Sequence, residues 1–170
     1  MRSHLISSCQ YFTSTSWRQN VRVTSPKGKV RRATRADLEA VIALDSISPL
    51  GHSRAELLTT RVESGEVLIF ESDARLTGFV VVRARSFFGL DFVELLSVAP
   101  DDRRRGVGSF LLDEALSQSS TDRVFTSTNQ SNTPMIGLLE DATWLFSGQL
   151  EGIDEGDPEF VYYKNVRHGA

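Results

Sequence analysis

The sequence is poor in the residues that staple or metallate small domains. It contains one cysteine, Cys9, and three histidines. A lone cysteine excludes an internal disulfide, and no Cys/His cluster has metal-ligand spacing, so no metal site is expected. No apolar run approaches the ~18 residues that a bilayer span requires, which leaves membrane-crossing helices unexpected. No internal repeat is visible, and low complexity is confined to the short Ser117-Gln118-Ser119-Ser120 run. No aromatic or basic stripe accompanies the positive charges, so nucleic acid is not an expected partner.

What is present is a globular composition with an uneven charge. At 170 residues and 40% hydrophobic content, the chain is long enough to bury one core as a single domain. The net charge of -3 conceals a division along the chain. Residues 1–36 hold eight Lys or Arg and no acid, whereas residues 37–170 hold eleven Lys or Arg against twenty-two Asp or Glu. Residues 1–28 read as a basic extension rich in Ser, Thr and Arg: an organelle transit peptide, a disordered extension, or residues added by an upstream start codon. Residues 29–170 read as the folded domain, with the cytoplasm as its expected location unless the extension targets an organelle.

Periodicity places the elements of that domain. Val30–Ala33 reads as a first strand, and Thr34 with Asp37 resembles a capping box opening a helix that carries Leu38, Val41 and Ile42. Ser53 with Glu56 repeats the device for a second helix, with Leu57, Leu58 and Val62, which Gly65 stops. Val67–Glu71 and Leu76–Arg85 read as strands joined at Ser72-Asp73, and Phe88-Gly89 turns into a strand over Phe92–Val98. A helix with Leu111, Leu112, Ala115 and Leu116 follows, then a strand over Arg123–Thr128. Next comes a helix after Pro134 with Met135, Leu138 and Leu139, and two strands at Trp144–Leu150 and Phe160–Tyr163. The order β-α-α-β-β-β-α-β-α-β-β predicts an α/β fold in which helices flank a mixed sheet.

The most informative segment is Arg103-Arg104-Arg105-Gly106-Val107-Gly108, between an apolar strand and a helix. The first N–H groups of a helix lack intrahelical partners, and the macrodipole adds positive charge, so such a junction suits a phosphate. Three ligand classes use loops of this kind. A nucleotide-triphosphate loop needs Gly-Lys-Ser/Thr, whereas Gly108 is followed by Ser109 and Phe110. A dinucleotide fingerprint needs a third glycine where this chain has Leu111.

The remaining pattern, Gln/Arg-x-x-Gly-x-Gly/Ala, is matched by Arg103, Gly106 and Gly108, and it resembles the pyrophosphate-binding segment of the GNAT superfamily of acyl-CoA-dependent N-acetyltransferases. The resemblance extends back to Val98 and Pro100, forward to Leu111-Leu112, and in element order over residues 30–165. It implies a GNAT-like sheet and acetyl-CoA as co-substrate. Arg103, Arg104, Arg105, Gly106, Val107, Gly108 and Ser109 would then hold the pyrophosphate. Leu96, Ser97 and Val98 would offer main-chain partners to the pantetheine arm, beside Asn132. The alternative for Asn132 is a simple helix cap.

The resemblance also implies an amine acceptor attacking a thioester. For a lysine-like amine of pKa ~10.4, deprotonation at pH 7 costs about 4.6 kcal/mol, but for an α-amino group near ~7.8 only about 1 kcal/mol. Glu94 is the leading candidate for a general base, as the lone carboxylate of an apolar strand. Simple alternation puts it on the face of Phe92, Leu96 and Val98. Its alternatives are a solvated residue or an arginine's partner, and Asp91 and His52 are weaker candidates for the base. The family's usual tyrosine acid falls on Leu139, with Tyr162 and Tyr163 as substitutes or, otherwise, wall aromatics. Glu151, Asp154, Glu155, Asp157 and Glu159 crowd one loop, which suits a cationic small molecule or a basic peptide, or else a merely solvated loop. The expected activity is acetyl transfer from acetyl-CoA to a primary amine in a ternary complex. The competing expectation is an acyl-CoA-binding sensor without turnover, and either would work as a monomer or homodimer.

Overall fold

The computed structural model describes residues 26–45 and 53–166. The basic extension up to residue 25, with Cys9, and the interhelical His52 therefore lie outside the described residues. Among the described residues, seven strands and four helices follow the expected order. They are β1 (Lys29–Arg32), α1 (Leu38–Asp45), α2 (Ser53–Glu63), β2 (Val67–Ser72), β3 (Arg75–Phe87), β4 (Leu90–Val98), α3 (Val107–Ser117), β5 (Arg123–Asn129), α4 (Thr133–Asp141), β6 (Leu145–Leu150) and β7 (Glu159–Asn165). The strands form one sheet in the order β1-β2-β3-β4-β5-β7-β6. Every neighbouring pair is antiparallel except β4 and β5, which run parallel.

Each face of the sheet has its own core. On one face α3 and α4 bury Val107, Leu111, Leu112, Ala115 and Leu139 against Leu68, Phe70, Val80, Val93, Val124 and Tyr162. On the other, α1 and α2 bury Val41, Leu44, Leu58 and Val62 against Val67, Ile69, Phe79 and Val81. Beyond α1 and α2, that second face continues as an aromatic run across four strands. Phe87 stacks on Phe92 with centroids 5.3 Å apart and meets Phe125 at 4.9 Å, and Phe125 meets Tyr163 at 5.6 Å.

Local chemistry sets the connections. Asp37 accepts bonds from both the N–H and the hydroxyl of Thr34, at 2.8 and 2.7 Å, so the expected capping box forms and opens a short 3-10 turn before α1. Arg31 bridges Asp37 at 2.7 Å and Glu71 at 2.5 Å, which ties this turn to β1 and β2. The Arg31 guanidinium holds the Asp37 carboxyl below the usual carboxylate range. The β2–β3 hairpin turns at Asp73 and Ala74, both with positive φ, one residue later than expected. The β3–β4 hairpin turns as expected at Phe88-Gly89, where Phe88 holds φ 51 and is 94% exposed. Just behind it, Asp91 is buried and accepts bonds from Arg85 N–H, Ser120 N–H and the Ser119 hydroxyl.

Strand β4 departs from simple alternation. Val81 pairs with Leu95 and Val82 with Val93, so Glu94 is an extra residue forming a β-bulge. The bulge resets the faces. Leu96 and Val98 pack toward α3, Leu95 packs toward α1 and α2, and Glu94 meets Arg61 of α2. The shared face expected for Glu94, Leu96 and Val98 is thereby corrected: two successive side chains on a bulged strand do not alternate across the sheet.

Candidate functional site

The loop from β4 to α3 is built as an anion cradle. A 3-10 turn over Pro100–Asp102 leads into Arg103, after which the backbone passes twice through the left-handed region, at Arg104 (φ 58) and at Gly106 (φ 84). Glycine adopts that conformation without a Cβ penalty, and Gly106 is the N-cap of α3. The carbonyl of Gly106 accepts from Phe110 N–H at 3.0 Å. The N–H groups of Val107, Gly108 and Ser109 open the helix and have no carbonyl four residues back within it. The three arginines divide their work. Arg103 donates from Nε to the carbonyl of Val98 at 3.1 Å. Arg105 lies 3.7 Å from Asp102, whose carboxylate also receives Arg75 of β3 at 2.7 Å. Arg104 is exposed and has no side-chain partner among the described residues.

Beside this cradle the sheet opens. Strands β4 and β5 pair only at Asp91–Val124, Phe92–Phe125 and Val93–Thr126. The Thr126 hydroxyl donates to the Val93 carbonyl at 3.0 Å and ends the ladder. From Glu94 onward the β5 side of β4 is unpaired, while its other edge bonds β3 at Leu96, Ser97 and Val98. The result is a notch with a free main-chain edge on one wall and the start of α3 at its end. Gly78 on β3 makes the close approach of α3 feasible: a Cβ there would lie 3.0 Å from both Leu111 and Val107 side chains and 3.1 Å from the Ser97 carbonyl. Gly108 faces α4, where a Cβ would lie 3.0 Å from Leu138.

Where the strands part, on the α1–α2 face, sits a charged cluster. Arg61 of α2 grips Glu94 with two bonds, Nε to Oε2 at 2.6 Å and Nη2 to Oε1 at 3.1 Å. Arg83 of β3 reaches the same Oε1 at 3.4 Å, and Arg61 also lies 3.4 Å from Glu66. Glu94 is thus an arginine's partner and not a lone carboxylate. Asp91, the weaker candidate for a base, lies at the hairpin end of β4. Burial alone would push its carboxyl up, but the bonds from Arg85, Ser120 and Ser119 together hold it below the usual range.

The other expected residues fall around the notch. Asn132 caps α4, accepting from Met135 N–H at 3.3 Å and donating to the Thr128 hydroxyl at 2.9 Å. Leu139 is fully buried in the core beneath α4. Tyr162 is buried on the α3–α4 side, where burial and then the charge of Glu140 raise its hydroxyl above the ordinary value. Tyr163 lies on the opposite face with Arg123 4.8 Å above its ring. In the acidic loop between β6 and β7, Asp154 accepts from Asn129 at 2.7 Å, and Asp157 accepts from the N–H and hydroxyl of Ser131 at 2.9 and 2.7 Å. Two of its carboxylates therefore fasten the loop to the β5–α4 junction.

Comparison with known proteins agrees with this geometry. Residues 36–142 match the model of the acetyltransferase (GNAT) family. A GNAT-family acetyltransferase from Bacillus cereus superposes with a TM-score of 0.78 at 33% identity, covering 83% of this chain and 99% of its own. The chain belongs to the GNAT acetyltransferase family. Two more distant structures share the fold. The protein yncA of Salmonella typhimurium, solved with its cofactor acetyl-CoA, has a TM-score of 0.66 at 19% identity, covering 84% of this chain and 96% of its own. NAA60 of Arabidopsis thaliana, in complex with a bisubstrate analogue, has 0.68 at 18% identity, covering 81% and 97%. No curated protein matches this sequence.

The GNAT family uses acetyl-CoA, and the residues here fit it. A doubly turned basic loop with open N–H groups suits a diphosphate, and a free strand edge suits an amide-bearing arm. Among the described residues there is no group of three or more His, Cys, Asp or Glu that could hold a metal ion, and no helix is long and apolar enough to cross a membrane. Sequence reasoning missed three residues that shape the notch and the charged cluster beside it. Gly78 had a signal, a glycine inside a strand pattern. Arg61 and Arg83 had none, because a surface-facing arginine on a helix or strand reads the same whether or not it meets a carboxylate.

Proposed function

We propose that the protein transfers the acetyl group of acetyl-CoA to a primary amine by direct attack, with both substrates bound and no covalent enzyme intermediate. The amine nitrogen forms the new C–N bond at the thioester carbonyl, the C–S bond breaks, and the amine loses one proton while the thiolate leaves as CoA. Residues 29–170 form the transferase domain in this reading. The observation that carries it is the notch itself, a strand edge left unpaired after Val93–Thr126 and directed at the cradle of α3.

The loop residues Arg103 to Ser109 bind the pyrophosphate, and the free edge of Leu96 to Val98 orients the arm, beside Asn132. Arriving amines are drawn by the exposed carboxylates of the β6–β7 loop, Glu151 and Glu155 among them. Glu94 can serve as a base only if Arg61 yields one of its oxygens, so an acceptor that is substantially neutral unaided suits the site best. Leu139, at the family's usual tyrosine position, leaves departure of the thiolate to its own modest pKa near ~8.5. The clamped Glu94 and the absent tyrosine also favour a second reading, an acyl-CoA-binding module without turnover.

Release of free thiol from acetyl-CoA across a panel of amines tests the proposal. Amine-dependent release with a matching acetylated product supports it, and tight CoA binding with no release on any amine supports the module. Glu94→Gln tests the base: turnover that falls at neutral pH and recovers at alkaline pH assigns that role to Glu94. An unchanged pH profile removes Glu94 as the base.

A further inference from the structure

We infer that Arg83 selects the acceptor, receiving a carboxylate that the amine substrate carries. The inference rests on the transferase reading above and names the class of acceptor it would use. Both oxygens of Glu94 are occupied by the two-bonded grip of Arg61. Arg83 is left with a share of one oxygen at 3.4 Å, a long contact for a charged pair. Its Nε is buried with no hydrogen-bond partner, and its side chain as a whole is 36% exposed. A guanidinium offers five donors, and among the described residues only Nη1 has a partner, so donors at its exposed end remain for a ligand.

Its position suits that task. Arg83 pairs in register with Phe92, one rung from the last β4–β5 pair, on the face of the aromatic run. Glu94 engages only Nη1, and only loosely, so the planar fork keeps donors for a second, bidentate carboxylate. Phe92, the register partner of Arg83, and Phe125, the partner of Phe92, form an apolar floor beside it, while the exposed carboxylates Glu151 and Glu155 add long-range attraction for an ammonium group. A zwitterionic acceptor matches both charges. The carboxylate could belong to a free amino acid or to an acidic side chain near a peptide's N-terminus, and the two sources share one chemistry at Arg83.

Matched acceptor pairs test the assignment: an apolar amino acid and its carboxamide, and a short peptide with Glu or Gln at its second position. The carboxylate member of at least one pair is expected to have a kcat/KM roughly ten- to hundredfold higher, carried by KM. Whichever pair shows the preference identifies the source. Arg83→Met should bring that ratio to about one while the KM for acetyl-CoA changes less than about twofold, and Arg83→Lys should recover part of it. If Arg83→Met does not fold, the lysine variant and the wild-type ratios still decide. Equal or better use of the uncharged member, or a preference that survives Arg83→Met, overturns the assignment. Failure of the transferase reading looks different, as CoA binding without transfer to any amine, and the assignment falls with it.

Discussion

In the proposed transferase, the donor and acceptor sides of the notch are made of different materials. The donor side is almost entirely backbone: unpaired N–H groups at the start of α3, a free edge on β4, and left-handed residues at Arg104 and Gly106 that aim them. The acceptor side is made of side chains, in which Arg61, Glu66, Arg83 and Glu94 come from α2, the turn after it, β3 and a bulge in β4. Backbone groups present the same donors whatever the residue, so the donor side depends chiefly on the path the chain takes through the loop. Charged side chains are individually replaceable, so in this proposal the acceptor side sets the choice of amine.

Four substitutions probe that contrast, in order of expected effect. Gly108→Glu should weaken acetyl-CoA binding at least about hundredfold, because a carboxylate at the first helical turn opposes the phosphates and costs charge-assisted bonds. The clash its Cβ would make is with the flexible end of Leu138, so the fold should survive, as thermal melting would register. Undiminished affinity would remove the pyrophosphate assignment. Asp91→Asn should destabilise the protein by about 1–3 kcal/mol in urea unfolding at neutral pH, since three donors converge on this buried carboxylate.

That second effect has a defined pH dependence. The folded carboxyl of Asp91 is held below its ordinary value, so its stabilisation is complete above about pH 4 and is lost as pH falls through the folded value. The gap between wild type and Asp91→Asn should therefore close in acid, and a gap independent of pH would contradict the role given to the charge. Arg61→Met should cost about 1–2 kcal/mol of stability by freeing Glu94, and should alter acceptor kinetics while acetyl-CoA affinity stays within about twofold. A large loss of cofactor affinity in this variant would erase the separation of the two sides. Phe88→Asn, at an exposed turn position with φ 51, should change both activities least and raise stability by about 0.5–1 kcal/mol, read as a shift in the urea midpoint.

The same contrast governs what could be read from residues alone. Hydrophobic period and turn chemistry located every element of the described sheet, with ends displaced by a few residues, because those signals are local. The Arg103, Gly106 and Gly108 pattern picked out the β4–α3 loop, where Gly106 takes a left-handed conformation and Gly108 lies close to Leu138. Nothing local marked the bulge at Glu94, which exists only through the register between β3 and β4. Arg61 and Glu94 are 33 residues apart and meet only after α2 has packed on the sheet. The lone-carboxylate reading of Glu94 therefore missed its partner, and the acidic loop's role in fastening itself to Asn129 and Ser131 was equally invisible.

The pyrophosphate cradle is tested most directly by calorimetric titration of the wild-type protein with CoA and, in parallel, with pantetheine, which keeps the amide arm and thiol but carries no phosphate. One CoA per chain, bound at least about hundredfold more tightly than pantetheine, is the predicted result. Equal affinity for the two would contradict it.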